Sequence, residues 1–380
     1  AFKYFKFLEM EFSSSSEDNS SIMKGTEADK AADFANYFCS YAYLYHQKQM
    51  LMDHVRMRAY HSAIMQNREM FEGKVVLDVG TGSGVLSIWA AQAGAAKVYA
   101  VEYTDIAKHA RNLVASNGLS DIVEVIQSSA EDVELPCKVD IIISEWMGYI
   151  LLRESMVDSL IRARNKWLKP DGAMFPSHAT MYLAPISFEE DRLAKMSDYK
   201  NSMDDWTRFS KEMKDLYSVS VDCLTEQFEK EQADYYVYSS LWTELRPENV
   251  VGETCVIKRL DLNTCSIEDA ECVRETAFDF VVPFPITVSG FAGWFTVDFA
   301  GSVPSPASRR VVLSTGPEMG YTHWGQQVFY LKDALQCSTN TRISGSTAMV
   351  RQEKNKRLYS MHFDVCIDGS EPVQYRYEIP

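Results

Sequence analysis

Between Lys74 and Pro176 the chain alternates short apolar runs with longer stretches of helical spacing. Val75–Val79, Val98–Glu102, Val123–Gln127, Val139–Ser144 and Ala173–Phe175 predict strands, since near-continuous aliphatic runs suit strands covered on both faces. Ile106–Ser116 and Met156–Trp167 predict helices between them. That order implies parallel strands joined by right-handed crossovers, hence an α/β Rossmann-like sheet. Upstream, Phe38, Tyr41, Tyr45, Met52, Val55 and Ala59 recur at helical intervals. Beyond Ala179 the pattern changes to strand-like alternation, as in Ile286–Phe299 and Arg310–Ser314, which predicts an antiparallel barrel or sandwich. One stretch departs from it. Phe188 to Tyr217 holds neither Gly nor Pro, and Leu193, Met196, Tyr199, Met203, Trp206, Phe209, Met213 and Leu216 recur every third or fourth position. It predicts a helical excursion, split near Asn201-Ser202, whose apolar stripe needs a partner. The organisation expected is a mobile tail over 1–32, an α/β domain with leading helices over 33–177, and a β-barrel over 178–380 with the arm 188–217 inserted.

The first apolar run leads into Asp78-Val79-Gly80-Thr81-Gly82-Ser83-Gly84 and then a helical stretch. Glycines there permit positive φ and let a ligand approach the backbone closely. Glu102 ends the next strand, where a ribose-binding carboxylate belongs. The spacing G-x-G-x-G lacks the G-x-G-x-x-G of a dinucleotide site, and Asp78 in the strand end would repel a pyrophosphate. A nucleoside bearing an ammonium and a sulfonium satisfies both facts: S-adenosylmethionine.

A second constellation follows the run 139–143: Ser144-Glu145-Trp146-Met147-Gly148-Tyr149, then Arg153-Glu154. Glu145 falls at a strand's carboxyl end, where open α/β sheets bind ligands, and Met147-Gly148-Tyr149 can reverse the chain towards it. Two carboxylates brought together repel, and one takes a proton unless a cation lies between them. A planar guanidinium matches such a site best.

Together with Tyr37-Phe38-x-x-Tyr41 and Thr322-His323-Trp324, these motifs resemble the type I protein arginine N-methyltransferases, from about Phe34 to near the C-terminus. The double-glutamate loop and the Thr-His-Trp triplet are specific to that family, whereas most S-adenosylmethionine enzymes share the glycine turn. The resemblance, strongest to plant-type members, implies methyl transfer to arginine with S-adenosylhomocysteine as product. It implies Glu145 and Glu154 as the guanidinium clamp, and His323, paired with Asp53, as proton acceptor or relay. For the cofactor it implies Phe38, Gln47, Met50, Arg56, Asp78, Gly80, Gly82, Glu102, Glu131 and Met156. Among these, Arg56 would pair the cofactor's carboxylate and Glu131 the adenine edge. Tyr37, Tyr41 and Trp324 would line the acceptor side. Many relatives carry His where Gln47 stands, which puts that ribose contact in question. A homodimer closed head to tail by the arm, and basic substrates such as histone tails or Arg/Gly-rich proteins, also follow from the resemblance. So does a structurally special proline, Pro176.

Composition narrows the alternatives. A formal charge of −15 argues against a general nucleic-acid surface and favours basic partners. The eight cysteines form no Cys-x-x-Cys, so neither a metal site nor a disulfide framework is expected, and the thiols suit the reducing cytoplasm or nucleus. No apolar run is long enough to span a bilayer, and the first residues lack the features of a secretory leader. Two other functions share the fold: a small-molecule or RNA methyltransferase, and a silent scaffold for basic tails. The paired glutamates oppose the first; Asp78 and Glu102, both kept, oppose the second.

Overall fold

In the computed structural model residues 41–353 and 355–379 are described. The expected tail, Tyr37 and Phe38 lie outside them. Two helices lead, α1 (Leu44–Met52) and α2 (His54–Met65). Asp53 separates them by leaving the helical region (φ −71°, ψ 96°), and its Oδ1 accepts from Arg56 N at 2.9 Å to cap α2.

Five parallel strands form the first sheet: β1 (Val75–Val79), β2 (Lys97–Glu102), β3 (Val123–Gln127), β4 (Val139–Ile143) and β5 (Leu168–Phe175). Their order is β3-β2-β1-β4-β5. Helices α3 (Val85–Gln92), α4 (Ala107–Ser116) and α5 (Met156–Trp167) connect them. Val76, Leu77, Ile141, Ile142 and Ile143 are buried, which is why these strands read as unbroken apolar runs. The chain switches direction across the sheet at β1, with β2 on one side and β4 on the other. The carboxyl ends of these three strands carry Asp78, Glu102 and Glu145 to that switch point.

The peptide Phe175-Pro176 is cis and leads out of the sheet. The second body is antiparallel. β6 (His178–Ile186), β7 (Leu241–Thr243), β8 (Cys255–Asp261), β10 (Ile286–Gly301), β11 (Pro306–Ser314) and β12 (Gln326–Cys337) make one sheet. β9 (Val273–Val281), β13 (Arg342–Arg351), β14 (Tyr359–Ile367) and β15 (Val373–Ile379) make the other. Aromatic rings fill the space between them, with Phe291 and Phe329 5.2 and 5.3 Å from Phe363.

The helical excursion differs from expectation in two ways. α6 runs unbroken from Glu189 to Tyr217, with no split at Asn201-Ser202, and a second helix, α7 (Thr225–Tyr236), packs back on it. The partner helix explains the continuity. Ser202 donates to Gln232 across the hairpin at 2.6 Å, Trp206 stacks on Phe228 at 4.2 Å, and its indole N–H reaches Thr225 at 3.0 Å. Tertiary contacts of this kind outweigh a local preference for turns. The root is pinned to the barrel by Arg192, which donates to Lys332 O at 2.6 Å, and by Tyr330, which donates to Asp191 at 2.7 Å. Leu193, Phe209, Leu216 and Tyr217 stay exposed.

Candidate active site

The turn after β1 is built from local parts. Asp78 is fully buried, and its Oδ2 accepts from the hydroxyls of Thr81 (2.6 Å) and Ser87 (2.7 Å). Burial nevertheless pushes its carboxyl up to about 6, against those hydrogen bonds. Its other oxygen is buried with no partner among the described residues. An unsatisfied acceptor there suits a donor of positive charge, such as the ammonium of S-adenosylmethionine. Gly80, Gly82 and Gly84 all have positive φ. A Cβ at Gly80 would fall 2.4 Å from Met156 Cε, and one at Gly82 would fall 2.9 Å from Gln47 Oε1. Met156 and buried Gln47 therefore wall the turn from two sides.

Glu102 joins this turn to the next strand. Its Oε2 accepts from Gly82 N (2.9 Å), and Oε1 from Thr104 N (2.8 Å) and Thr104 Oγ1 (2.7 Å). A carboxylate offers about four acceptor sites, so a ribose hydroxyl still finds one. The residues present fit S-adenosylmethionine. Thr81, Ser87 and Thr104, which hold the two acids, were not singled out from sequence, although all lie within nine residues of them.

The double-glutamate loop is held from many directions. Gly148 and Leu151 exchange backbone hydrogen bonds at 3.0 Å, and a Cβ at Gly148 would lie 1.9 Å from Arg153 O, so only glycine fits. Ile150, Leu151, Glu154 and Ser155 all have positive φ, a conformation that costs a non-glycine residue roughly 1–3 kcal/mol. Buried Tyr60 donates to Ser144 O at 2.9 Å.

Each glutamate meets a cation of the chain itself. Glu145 Oε2 accepts from Arg56 Nε (3.1 Å) and lies 3.0 Å from its Nη2, while Oε1 accepts from Met147 N (3.2 Å). Glu154 Oε1 lies 3.4 Å from Arg153 Nη1, and its Oε2 accepts from Tyr41 Oη at 2.9 Å. Both carboxylates are mostly buried, with side-chain exposures of 11% and 17%.

The other expected site residues have these surroundings. Arg56, expected to pair the cofactor's carboxylate, has its guanidinium on Glu145, and its Nη1 donates to Met50 O. Trp324, expected on the acceptor side, is buried and donates its indole N–H to Met147 O at 2.7 Å, propping the clamp loop. An indole in a core needs one acceptor, and that carbonyl supplies it. Glu131 is exposed and accepts from Ser159 Oγ at 2.6 Å. Gln47 donates to Tyr41 O at 3.2 Å.

His323 and Asp53 come together from opposite ends of the chain. His323 Nδ1 lies 2.7 Å from Asp53 Oδ2, which also accepts from His323 N at 2.9 Å. Burial opposes ionisation of Asp53, but hydrogen bonds from His323 and Arg56 outweigh it and hold the carboxyl below its usual range. An ionised carboxylate only accepts, so Nδ1 carries the hydrogen and Nε2 is the basic nitrogen.

A separate cleft of about 500 Å³ is lined by Arg164, Lys169, His178 and Asp261 and shares no residue with this site. Its cations are already engaged, Lys169 on Asp140 and Arg164 on Leu262 O. Among the described residues there is no cluster of metal-ligand side chains, no helix able to cross a membrane, and no disulfide.

A Rossmann-like sheet with a glycine turn, an acid at each flanking strand end and an antiparallel barrel behind defines an S-adenosylmethionine-dependent methyltransferase that takes a cationic acceptor. Residues 58–178 match the family model of ribosomal protein L11 methyltransferase, and residues 177–369 match the arginine methyltransferase oligomerization subdomain. Protein arginine N-methyltransferase PRMT10 of Oryza sativa subsp. japonica is 52% identical over 341 residues, covering 88% of both chains. PRMT10 of Arabidopsis thaliana is 49% identical over 338 residues, with the same coverage. The crystal structure of Arabidopsis thaliana protein arginine methyltransferase 10, described as uniquely open, superposes with a TM-score of 0.88 at 46% identity. It covers 90% of this chain and 100% of that one. A Trypanosoma brucei PRMT1 enzyme-prozyme heterotetramer with AdoHcy matches at 0.75 and 28% identity, over 90% of this chain and 100% of that one. The chain belongs to the protein arginine N-methyltransferase family. It transfers methyl groups from S-adenosylmethionine to arginine and carries the family's oligomerization subdomain.

Proposed function

We propose that this enzyme is of type I, converting arginine in basic proteins to monomethyl- and asymmetric dimethylarginine. The observation that carries the reading is the loop bearing Glu145 and Glu154, each already paired with a guanidinium of the chain. A substrate guanidinium, with a pKa near ~13.8, arrives charged and nucleophilically weak. Glu145 and Glu154 accept its N–H groups, draw positive charge to one side and leave the remaining terminal nitrogen the stronger nucleophile. S-adenosylmethionine supplies the electrophilic methyl when bound. Fixing the two partners in line contributes roughly 7–11 kcal/mol, so orientation and electrostatics carry most of the acceleration. Tyr41 holds Glu154, Arg56 holds Glu145, and His323 Nε2 takes the released proton while Asp53 stabilises the imidazolium.

The acidic net charge supports Arg-rich substrates such as histone tails or Arg/Gly-rich proteins, in the cytoplasm or nucleus. The exposed stripe Leu193, Phe209, Leu216 and Tyr217 supports a homodimer in which each arm docks on the partner's cofactor domain. Labelled S-adenosylmethionine with an Arg/Gly-rich peptide, followed by amino-acid analysis, tests the activity. Asymmetric dimethylarginine is expected, and symmetric product or monomethylarginine alone would overturn type I. Light scattering should find a dimer, and deletion of 189–236 a monomer with impaired turnover. A monomeric, fully active wild type would rule the arm role out.

A further inference from the structure

The clamp loop is also held by a segment that arrives some two hundred residues later. Glu154 and Ser155 have φ of 80° and 57°, and such backbone persists only where its surroundings over-determine it. The hairpin joining β13 to β14 does this. Glu154 N donates to Arg357 O at 2.8 Å, and Ser155 Oγ donates to Lys356 O at 2.6 Å. Tyr359 Oη, on a fully buried ring, lies 3.2 Å from Ser155 Oγ and accepts from Arg351 Nε at 3.0 Å. Arg351 then grips Asp158, in the first turn of α5, through two hydrogen bonds of 2.8 and 3.0 Å to its two oxygens.

We propose that Arg351, Tyr359 and Asp158 form a latch on the barrel that positions Glu154 for guanidinium binding. The latch closes a loop of contacts: barrel strand, first turn of α5, Ser155 and back to the barrel through the carbonyls of Lys356 and Arg357. A planar fork on two carboxylate oxygens fixes direction as well as distance, which a lysine cannot do. The residues it immobilises are the carboxylate-bearing residue and its successor. Among the described contacts none of the three touches Asp78 or Glu102, so the latch acts directly on the acceptor half of the site and reaches the cofactor half only through Met156, in the same helical turn as Asp158. These are positioning residues, and the inference rests on the clamp role of Glu154.

The test uses the full chain with Arg351→Met, Arg351→Lys, Tyr359→Phe and, as reference, Glu154→Gln. In Arg351→Met, kcat on an Arg/Gly-rich peptide should fall about tenfold or more and peptide KM should rise, as loss of a charged hydrogen-bond pair predicts. The Kd of S-adenosylhomocysteine by calorimetry should stay within about twofold. Arg351→Lys should recover part of the loss, and adding Asp158→Leu to Arg351→Met should cost little more, because the two act as one unit. Tyr359→Phe keeps the buried ring and loses only the hydroxyl, so it carries the test if Arg351→Met does not fold, with kcat down about threefold or more. Wild-type kcat and KM in Arg351→Met and Tyr359→Phe, with Glu154→Gln inactive, would overturn the latch and leave the clamp standing. Equal losses of peptide and cofactor binding would reduce the three residues to general stability and overturn it as well. An active Glu154→Gln would remove the clamp itself.

Discussion

The two halves of the proposed active site are built in opposite ways. The cofactor half uses Asp78, Thr81, Gly82, Ser87, Glu102 and Thr104, a single β–α–β passage whose hydrogen bonds span at most twenty residues. The acceptor half draws on Tyr41, Asp53 and Arg56, then the loop 144–155, then His323 and Trp324, then the hairpin around Arg357. A locally closed turn pays its ordering cost once, within one supersecondary unit. A site assembled from distant segments depends on every interface between them. Damage to the first half should therefore show in cofactor affinity, and damage to the second in turnover with cofactor binding preserved.

The sharpest way to break that division is Glu145→Gln or Glu154→Gln. Leaving half of a buried ion pair uncompensated costs on the order of 3–5 kcal/mol, so turnover should fall by roughly two to four decades. Calorimetry should meanwhile find S-adenosylhomocysteine binding intact. A variant of either that turns over like wild type removes the clamp.

Next in size is the pH dependence at Asp78. Its folded carboxyl titrates at about 6 while the unfolded one titrates near ~3.9, so the native state holds the extra proton between these values. Stability should accordingly decline as pH rises through that window, by about 3 kcal/mol in total, and level off above it. Asp78→Asn should abolish this decline in urea titrations between pH 4 and 7. Parallel pH curves for the two proteins would show that Asp78 does not carry it.

Glu102→Ala should weaken cofactor binding about ten- to hundredfold, since hydrogen bonds to a charged group contribute about 1.5–3 kcal/mol. Gly82 and Thr104 lose their acceptor in the same change. Unchanged affinity would make Glu102 a structural residue of the turn.

The smallest effect expected is that of Asp53→Asn, which keeps the shape but loses the charge facing His323. It should cost about 1–2 kcal/mol at neutral pH and slow turnover about tenfold. The folded pKa of Asp53 is depressed, so its contribution is present above the unfolded value near ~3.9 and is lost as pH falls through the folded one. The stability gap between wild type and variant should thus close in acid. A gap that persists there would assign it to packing.

What was legible beforehand follows the same division. The parallel sheet, the glycine turn, Asp78, Glu102 and both loop glutamates could be read because apolar runs and glycines encode local geometry directly. Element ends were less so: β5 begins at Leu168, five residues before the expected start, and α6 continues through Asn201-Ser202. In both cases pairing with a neighbour, β4 or α7, supplied what local preference lacked.

By itself, then, the sequence determined the order of elements, the chemical type of each half-site and the family. Only the tertiary structure decided which partner each charge takes. Arg56 lies on Glu145, Trp324 lies under the loop, and Arg351 reaches Asp158 across 193 residues. Apolar periodicity and backbone permissiveness are properties of neighbouring residues. The pairing of buried charges depends on which segments share a low-dielectric space, and that is settled only when sheet and barrel pack together.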